Sequence, residues 1–192
     1  MEIGQGIRWP SPLLKEAWDE GTLYPTGVTE PWTQQVVADL LVASGQSVVL
    51  ELGTYLGFTT LWLALALDAA ERDSRLLTVE LDRSRCNAAY ARLAPIPLKH
   101  VNVTFAQDEA CHAINALPDA SVGFAWVDDD HSPAHVDEEL TLLRPKMREG
   151  GLITMHDVSG PLGLDAVCRA HGGHVLHFPR LGAAGGLGVI QC

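Results

Sequence analysis

Short apolar runs alternate with longer segments of helical periodicity along most of the chain, and one junction between the two is especially informative. The run 48–52, interrupted only by Glu51, leads through Gly53 and Gly57 into the apolar pattern 61–67. This order is typical of a buried strand, a tight turn and the N-terminus of a helix. Because open α/β sheets bind ligands at the carboxyl ends of their strands, we expect the functional site at this turn.

The same alternation continues to the C-terminus and predicts the fold class. Repeated strand–helix units predict an α/β fold with a doubly wound, mostly parallel seven-stranded sheet, and the last two strands predict an antiparallel C-terminal edge strand. The predicted strands are 48–52, 76–80, 101–106, 122–127, 151–155, 174–178 and 187–191. The predicted helices after the N-terminal segment are 29–44, 61–67, 82–93, 108–117, 133–148 and 162–171.

Residues 1–28 are predicted to be a lid or cap segment of a single domain whose core is 29–192. Prolines and glycines interrupt this segment and leave room for one short helix over 11–20, which Ser11 and Pro12 would begin. The aromatic side chains here either cover an open end of the core or form a wall of the substrate site. They are Trp9, Trp18, Tyr24 and Trp32. The next helix is expected to be capped by Thr29 and ended by Gly45.

A formal net charge of -11 restricts the partners of this chain. Without a basic stripe to neutralise phosphates, nucleic acid is not expected to bind, and the same charge disfavours an anionic membrane surface. The four widely spaced cysteines contain no Cys-x-x-Cys pair, and the N-terminus lacks a signal-peptide pattern. Both features favour a cytoplasmic protein with reduced thiols.

Acidic side chains and one histidine follow the predicted strands, at the edge of the sheet where the glycine turn lies. They are Glu51, Glu80, Asp108, Asp128 to Asp130, and the pair His156 and Asp157. A single acid at such a place is commonly a helix cap, but their shared position favours a site. Glu80 is expected to accept hydrogen bonds from both hydroxyls of a ribose, since Asp82 is better placed to cap the next helix.

The glycine spacing separates two classes of nucleotide cofactor. The dinucleotide fingerprint Gly-x-Gly-x-x-Gly lets a pyrophosphate approach the backbone. Here three residues separate Gly53 from Gly57, and Tyr55 occupies the place of the middle glycine. A nucleoside cofactor without phosphates therefore fits this turn better than NAD(P).

The segment Glu-Leu-Gly-Thr-Tyr-Leu-Gly-Phe-Thr-Thr, residues 51–60, is similar to motif I of class I S-adenosylmethionine (SAM)-dependent methyltransferases. It most resembles the catechol O-methyltransferase branch and the small bacterial methyltransferases of the family 24 type. The resemblance implies a Rossmann-like fold, SAM as the cofactor and methyl transfer to oxygen. The cofactor-binding residues it implies are Glu51, Gly53, Thr54, Tyr55, Gly57, Thr59, Glu80 and Asp108.

The resemblance also implies separate roles within this set. Glu51, Gly53 and Gly57 would shape the methionine pocket, and Thr59 would help to hold the methionine carboxylate. Tyr55 would line the pocket around the sulfonium, Glu80 would bind the ribose hydroxyls, and Asp108 would lie beside the adenine. Gln107 stands where the family usually has a glycine before that last acid.

Two later acidic motifs predict a metal centre. Asp128 follows one buried strand, while His156 and Asp157 follow the next. As sheet neighbours, the two aspartates would offer the oxygen ligands that Mg²⁺ prefers. By the resemblance, metal-dependent O-methyltransferases bind Mg²⁺ at these positions together with the vicinal hydroxyls of the substrate. The predicted metal ligands are therefore Asp128, His156 and Asp157, with His156 in the place of a usual carboxylate.

His131, three residues after Asp128, is the candidate catalytic base, so these two form the predicted catalytic pair. A histidine with a near-neutral pKa can accept a hydroxyl proton as the oxygen attacks the sulfonium methyl. By the resemblance, the catechol enzymes place a lysine here, and related sugar methyltransferases use a histidine in an Asp-x-x-His arrangement. The alternative is a structural histidine that ties the strand to the next helix.

Together these features predict a SAM-dependent methyltransferase that acts, with a divalent metal, on a small hydroxylated substrate. Two alternatives stay open: an NAD(P)-type oxidoreductase on a related fold, and a non-catalytic module that binds a nucleoside. The short N-terminal segment predicts an open acceptor site unless a second subunit covers it, so a homodimer is a further expectation.

Overall fold

The computed structural model describes residues 8–10, 15, 28–177 and 185–192. Within these ranges the helices are α1 (Pro31–Ser44), α2 (Phe58–Ala69), α3 (Arg83–Leu93), α4 (Ala110–Ala116), α5 (Pro133–Leu143) and α6 (Leu164–Ala170). The strands are β1 (Val48–Leu52), β2 (Ser74–Glu80), β3 (Val101–Gln107), β4 (Val122–Val127), β5 (Met147–Met155), β6 (His174–Leu176) and β7 (Leu187–Gln191).

The strands form one sheet in the order β3-β2-β1-β4-β5-β7-β6. Strands β1 to β5 pair in parallel, whereas β7 pairs antiparallel with both β5 and β6. This confirms the predicted α/β sheet of seven strands with an antiparallel C-terminal pair. The antiparallel strand β7 lies between β5 and β6, so β6 forms the edge.

Helices cover both faces of the sheet, as the side-chain alternation of the strands requires. Val49, Phe124 and Trp126 pack with α1, α2 and α3 on one face. Leu50 and Val127 point the other way and pack with α4, α5 and α6. Because both faces of the central strands β1 and β4 are buried, polar side chains of this part of the sheet reach solvent at the strand ends, and that is where the site lies.

The predicted helix over 133–148 is the largest difference between the sequence expectation and the structure. Helix α5 ends at Leu143 and is followed by a 3-10 turn, Arg144–Lys146. Pro145 lies in this turn, and its missing N–H cannot continue the α-helical ladder. Strand β5 then begins at Met147, which pairs with Val122, rather than at residue 151.

Helices α1, α4 and α6 begin at residues other than the expected ones. Thr29 was expected to cap α1, but Glu30 is the N-cap, and the Thr29 hydroxyl instead donates to Asp128 Oδ2 at 2.6 Å. Helix α4 begins at Ala110 rather than at residue 108, because the Glu109 carboxylate accepts from the first free N–H groups. Helix α6 spans Leu164–Ala170 rather than 162–171. The predicted caps by Asp82 and Gly45 are confirmed.

The predicted N-terminal cap segment is described only in part. The helix expected over 11–20 lies outside the described residues apart from Lys15, as do Trp18 and Tyr24, and Phe178 of the predicted strand 174–178. Trp9 packs against Trp62 of the core, with ring centroids 5.8 Å apart. Among the described residues, no helix combines the length and apolar character needed to cross a membrane.

Candidate active site

The carboxyl ends of the parallel strands bring the predicted site residues to one edge of the sheet. The backbone ladder continues one residue past the strands: Asp128 N donates to Leu52 O, and His156 N donates to Val127 O. Asp128 therefore lies between the glycine turn on one side and His156 on the other. The expected juxtaposition of the residues following β4 and β5 is confirmed.

The turn after β1 depends on its first glycine. Gly53 has a φ of +88°, and a Cβ at this position would lie 2.2 Å from the backbone oxygen of Asp128. Only glycine fits both the left-handed conformation and the close approach of the neighbouring chain. Gly57 has a φ of +78°, and its Cβ would lie 2.8 Å from Ala89 Cβ. The second glycine thus lets α3 pack against the turn.

Glu80 holds the turn in place from the end of β2. Its Oε2 accepts from the N–H of Tyr55 at 2.8 Å, and its Oε1 accepts from the N–H of Asp82 at 2.9 Å. The side chain also lines the large cleft described below. Since each carboxylate oxygen has a further lone pair, Glu80 can still accept from two hydroxyl groups.

The remaining predicted cofactor residues divide between the surface of the site and the interior. Thr59 lines a small cavity beside the turn, and its Oγ1 accepts from Gln34 Nε2 at 3.2 Å. Thr54 lines the same cavity but hydrogen-bonds to Thr78 in the interior. Tyr55 lines both cavities, with the Arg85 guanidinium 5.0 Å from the centre of its ring.

Glu51 lies behind the site rather than in it. It is fully buried, its Oε2 accepts from the Thr60 hydroxyl at 2.6 Å, and it does not line either cavity. Burial raises the pKa of this carboxyl to about 8, although bonds from two threonine hydroxyls oppose the rise. Through its bond with Thr60, Glu51 joins β1 to the first turn of α2 from behind the site.

Asp108 lies at the far end of the cleft, after β3. Its carboxylate contacts His112 Nδ1 at 2.8 Å, and this contact lowers the pKa of Asp108. The side chain is about one third exposed and lines the cleft, so the predicted adenine-side acid is accessible.

One open cleft connects the glycine turn with the polar residues that follow β4 and β5. Its volume is about 930 Å³, within the range of roughly 300–1,000 Å³ typical of small-molecule sites. Eight acidic side chains line it, against a single arginine, Arg85. The cleft therefore favours a ligand that carries positive charge.

His131 lies between two carboxylates. Its Nε2 is 3.3 Å from Asp128 Oδ1 and 3.4 Å from Asp157 Oδ2, which are ion-pair distances without the geometry of a hydrogen bond. The Asp128 carboxylate is the main cause that raises the pKa of His131, against partial burial. Nε2 is buried, whereas the side chain as a whole is 28% exposed. The accessible part of the side chain faces the cleft, which His131 lines.

His156 is the centre of a second and more buried ion-pair network. Its Nε2 is hydrogen-bonded to Glu30 Oε2 at 3.1 Å, and its Nδ1 lies 3.2 Å from Asp128 Oδ1 and 3.5 Å from Asp157 Oδ1. Burial alone would lower the pKa of His156, but the three surrounding carboxylates raise it well above its ordinary value. The pKa of Asp128 falls to about 2 because these two histidines outweigh its burial.

Thr29, Glu30 and Gln34 are parts of the site that the sequence expectation missed. Thr29 contacts Asp128, which is 99 positions away in the chain, and Glu30 contacts His156, which is 126 positions away. Their only sequence signal was that of a helix start. That signal does not distinguish them from the first residues of any other helix, so it could not have indicated the site.

The chain belongs to the methyltransferase domain family, whose profile matches residues 50–158, more than half of the chain. The matched region runs from the middle of β1 to just past β5 and contains the glycine turn, Glu80 and all residues of the cleft and of the two histidine networks except Val28 and Glu30. The predicted family is thereby confirmed, and the NAD(P)-type alternative is not favoured.

Individual relatives agree with this assignment. A Mycobacterium tuberculosis (strain ATCC 25618 / H37Rv) protein named "Probable O-methyltransferase" is 27% identical over 146 residues. The aligned region covers 75% of this chain and 62% of that relative, so the chain spans less than two thirds of the relative's length.

Solved structures show the same fold at low sequence identity. The O-methyltransferase TomG from Streptomyces achromogenes, involved in tomaymycin synthesis and solved in complex with SAM, superposes with a TM-score of 0.71 and is 21% identical. The match covers 96% of this chain and 91% of TomG. An O-methyltransferase from Bacillus cereus in complex with SAH gives a TM-score of 0.69 at 19% identity, covering 95% and 91% of the two chains.

Proposed function

We propose that this protein is a SAM-dependent O-methyltransferase that acts on a small hydroxylated molecule. The observation that carries the proposal is one cleft lined both by the glycine turn and Glu80, on the cofactor side, and by Asp128 and His131, on the acceptor side. Cofactor and acceptor can meet there because the two sets of residues share one cavity. Family membership and the names of the relatives support the same reaction class.

Three features of the cleft and of the small cavity beside the glycine turn support SAM as the ligand. Glu80 can accept from two ribose hydroxyls, and Thr59, which accepts from Gln34, retains a hydroxyl proton to donate to the methionine carboxylate. The acidic lining complements the positive charge of the sulfonium and the amine. Tyr55, in place of a glycine, disfavours the pyrophosphate of NAD(P).

His131 is the proposed base. Because its Nε2 faces Asp128 and Asp157, that nitrogen retains its proton, and Nδ1 is left as the acceptor. The substrate hydroxyl would transfer its proton to Nδ1 as its oxygen forms a bond to the methyl carbon and the bond from sulfur to that carbon breaks. The two carboxylates then stabilise the imidazolium. The remaining catalytic contribution is in-line positioning of oxygen, carbon and sulfur.

The predicted magnesium site fits the structure poorly. Mg²⁺ prefers an octahedral set of oxygen ligands, but the side chain between Asp128 and Asp157 is His156. Both of its ring nitrogens face carboxylates, an arrangement in which each nitrogen carries a proton and the ring supplies the positive charge itself. The proposed mechanism therefore runs through His131 and His156 without a metal, and assistance by Mg²⁺ stays a prediction from the family resemblance.

Two measurements test this proposal in sequence. Calorimetric titration with S-adenosylhomocysteine, with and without Mg²⁺, is expected to show one site per chain in both conditions. Turnover with methyl-labelled SAM is then measured over a library of hydroxylated acceptors, with His131→Asn compared with His174→Asn, a histidine on the exposed edge strand β6. We expect the first variant to bind cofactor but lose transfer and the second to keep both. Absence of cofactor binding would refute the proposal, and binding without turnover on any acceptor would favour a non-catalytic module.

A further inference from the structure

A second cluster of metal-ligating side chains lies beside the cleft, outside the proposed reaction. It comprises Asp129, at the end of β4, and His135 and Glu139, one turn apart on α5. His135 Nε2 lies 3.2 Å from Asp129 Oδ2 and 3.5 Å from Glu139 Oε1, and the three donor atoms lie within 4.8 Å of one another. We refer to these three residues as the α5 cluster.

Glu139 is the observation that points to a ligand. Its side chain is fully buried, and neither of its oxygens has a hydrogen-bond partner among the described residues. The buried Asp129 Oδ1 also lacks one. A buried carboxylate without a donor is costly, so it must either hold a proton or face a cation. Burial and the neighbouring acids Asp129 and Glu109 raise the pKa of Glu139 to about 10.

The donor set indicates which kind of cation fits. An imidazole with two carboxylates suits Zn²⁺ and related divalent transition metals, whereas Mg²⁺ and Ca²⁺ prefer oxygen alone. At metal–ligand distances of about 2.0–2.2 Å, two ligands of a tetrahedral zinc ion lie about 3.3–3.6 Å apart. The two distances from His135 Nε2, 3.2 and 3.5 Å, are close to this spacing.

The surroundings leave room for further coordination. Asp129 and His135 line the cleft, with side chains 20% and 22% exposed, so solvent can reach the α5 cluster from that side. Cys111 lies next to it, since Glu109, Cys111 and His135 also place donor atoms within 4.8 Å of one another. A water molecule from the cleft can therefore complete four ligands.

We propose that Asp129, His135 and Glu139 form a binding site for a divalent transition-metal ion of the zinc class, separate from the Asp128 and His156 network. The ion would satisfy the buried Glu139 carboxylate and would join the start of α5 to the loop that carries His131. The inference does not depend on the proposed methyl transfer, because it rests on the α5 cluster alone.

The test uses Zn²⁺ as the probe on the full chain after treatment with a chelator. Calorimetry with a competing chelator of known affinity, together with thermal unfolding, is compared for the wild type, Glu139→Gln and the matched control Glu138→Gln, an exposed acid on the same helix. We expect one Zn²⁺ per wild-type and control chain and a rise in Tm on binding. For Glu139→Gln we expect at least about tenfold weaker binding and no rise in Tm. His131→Asn, which alters only the neighbouring network, is expected to bind Zn²⁺ as the wild type does.

Several results would overturn the site. Zn²⁺ binding of equal affinity in Glu139→Gln would place the ion elsewhere, as would loss of binding in His131→Asn. Failure of the wild type to bind Zn²⁺ would show that Glu139 is neutralised by a proton alone. Because glutamine matches the size of glutamate without its charge, Glu139→Gln is expected to fold, which far-ultraviolet circular dichroism checks.

Discussion

Glu30 Oε2 is hydrogen-bonded to His156 Nε2 at 3.1 Å, so the N-cap of α1 is tied to the end of β5. The two residues are 126 positions apart in the chain, and His156 is almost fully buried. Thr29 makes a parallel contact with Asp128. The start of α1, which directly follows the predicted cap segment, is therefore part of the site.

Replacement of Glu30 by Gln tests how much the contact with His156 contributes to stability. The glutamine oxygen can still accept from His156 Nε2, but the negative charge beside the buried imidazole is lost, so we expect the free energy of unfolding to fall by about 1–3 kcal/mol. Urea unfolding measures the change. Asp39→Asn is the control, because its pairing with Arg8 is largely exposed and contributes at most about 1 kcal/mol. Equal effects of the two substitutions would contradict the importance of the Glu30 contact.

The proposed base predicts how activity depends on pH. His131 must be neutral to accept a proton, and its pKa is raised by Asp128, so kcat/KM is expected to rise with pH along a limb centred above 6.5. Asp157→Asn removes a carboxylate 3.4 Å from Nε2 and should move that limb to lower pH. A pH–rate profile of both proteins decides the matter. A limb that does not move would argue against His131 as the titrating group.

The close approach at Gly53 predicts a severe effect of one added methyl group. Gly53→Ala combines a left-handed φ with a clash against the Asp128 backbone, and we expect it to cost about 3 kcal/mol or more, or to prevent folding. Gly172→Ala has a similar φ of +80° but nothing within 4 Å of the added carbon, so about 1 kcal/mol is expected. Denaturant unfolding of the two variants separates the free-energy cost of the clash from that of the backbone strain. Similar losses of unfolding free energy in both would mean that the Asp128 backbone moves to accommodate the added methyl group.

Glu139 predicts an unusual dependence of stability on pH in the metal-free protein. Its folded pKa of about 10 exceeds the value of 4.5 for the unfolded chain, so the folded state holds a proton that the unfolded state releases. Stability from this group is fully present below pH 4.5 and is lost as pH rises toward 10, with a slope of at most about 1.4 kcal/mol per pH unit. Glu139→Gln should remove this slope and stabilise the protein at pH 7. Chemical unfolding at several pH values measures it, and an unchanged slope would place the titration elsewhere.

Replacement of His156 by Glu tests the role of the imidazolium directly. The wild type, once treated with a chelator, is expected to change its turnover less than about twofold when Mg²⁺ is added. The variant restores an oxygen ligand between Asp128 and Asp157 and is expected to require Mg²⁺ for whatever turnover it retains. Strong stimulation of the wild type by Mg²⁺ would instead support the metal centre implied by the family resemblance.

The sequence was sufficient for the fold and for one side of the site because both depend on local patterns. Strand periodicity located β4 to the residue, and a parallel arrangement places Asp128 and His156, which follow strands, at the same edge of the sheet. The end of α5 was harder to predict from the sequence, because Leu140 and Leu143 continue a helical pattern directly into the 3-10 turn at Pro145.

The rest of the site depends on contacts that have no local signal. Thr29 and Glu30 are ordinary residues for the beginning of a helix, and only the folded sheet shows that Asp128 and His156 are their partners. Glu139, among Asp137 and Glu138, has the composition of a solvated helix face. Its side chain is buried because it falls on the side of α5 that packs with Val136 and Leu140 toward the sheet.

The acidic lining of the cleft has a consequence for the end of the reaction cycle. In the proposed reaction, methyl transfer converts a sulfonium cation into a neutral thioether, while the carboxylates around it stay in place. S-adenosylhomocysteine therefore lacks an electrostatic attraction to the cleft that SAM has. We expect this difference to appear as a higher dissociation rate of S-adenosylhomocysteine. The charge of the cleft therefore favours replacement of the product by new cofactor.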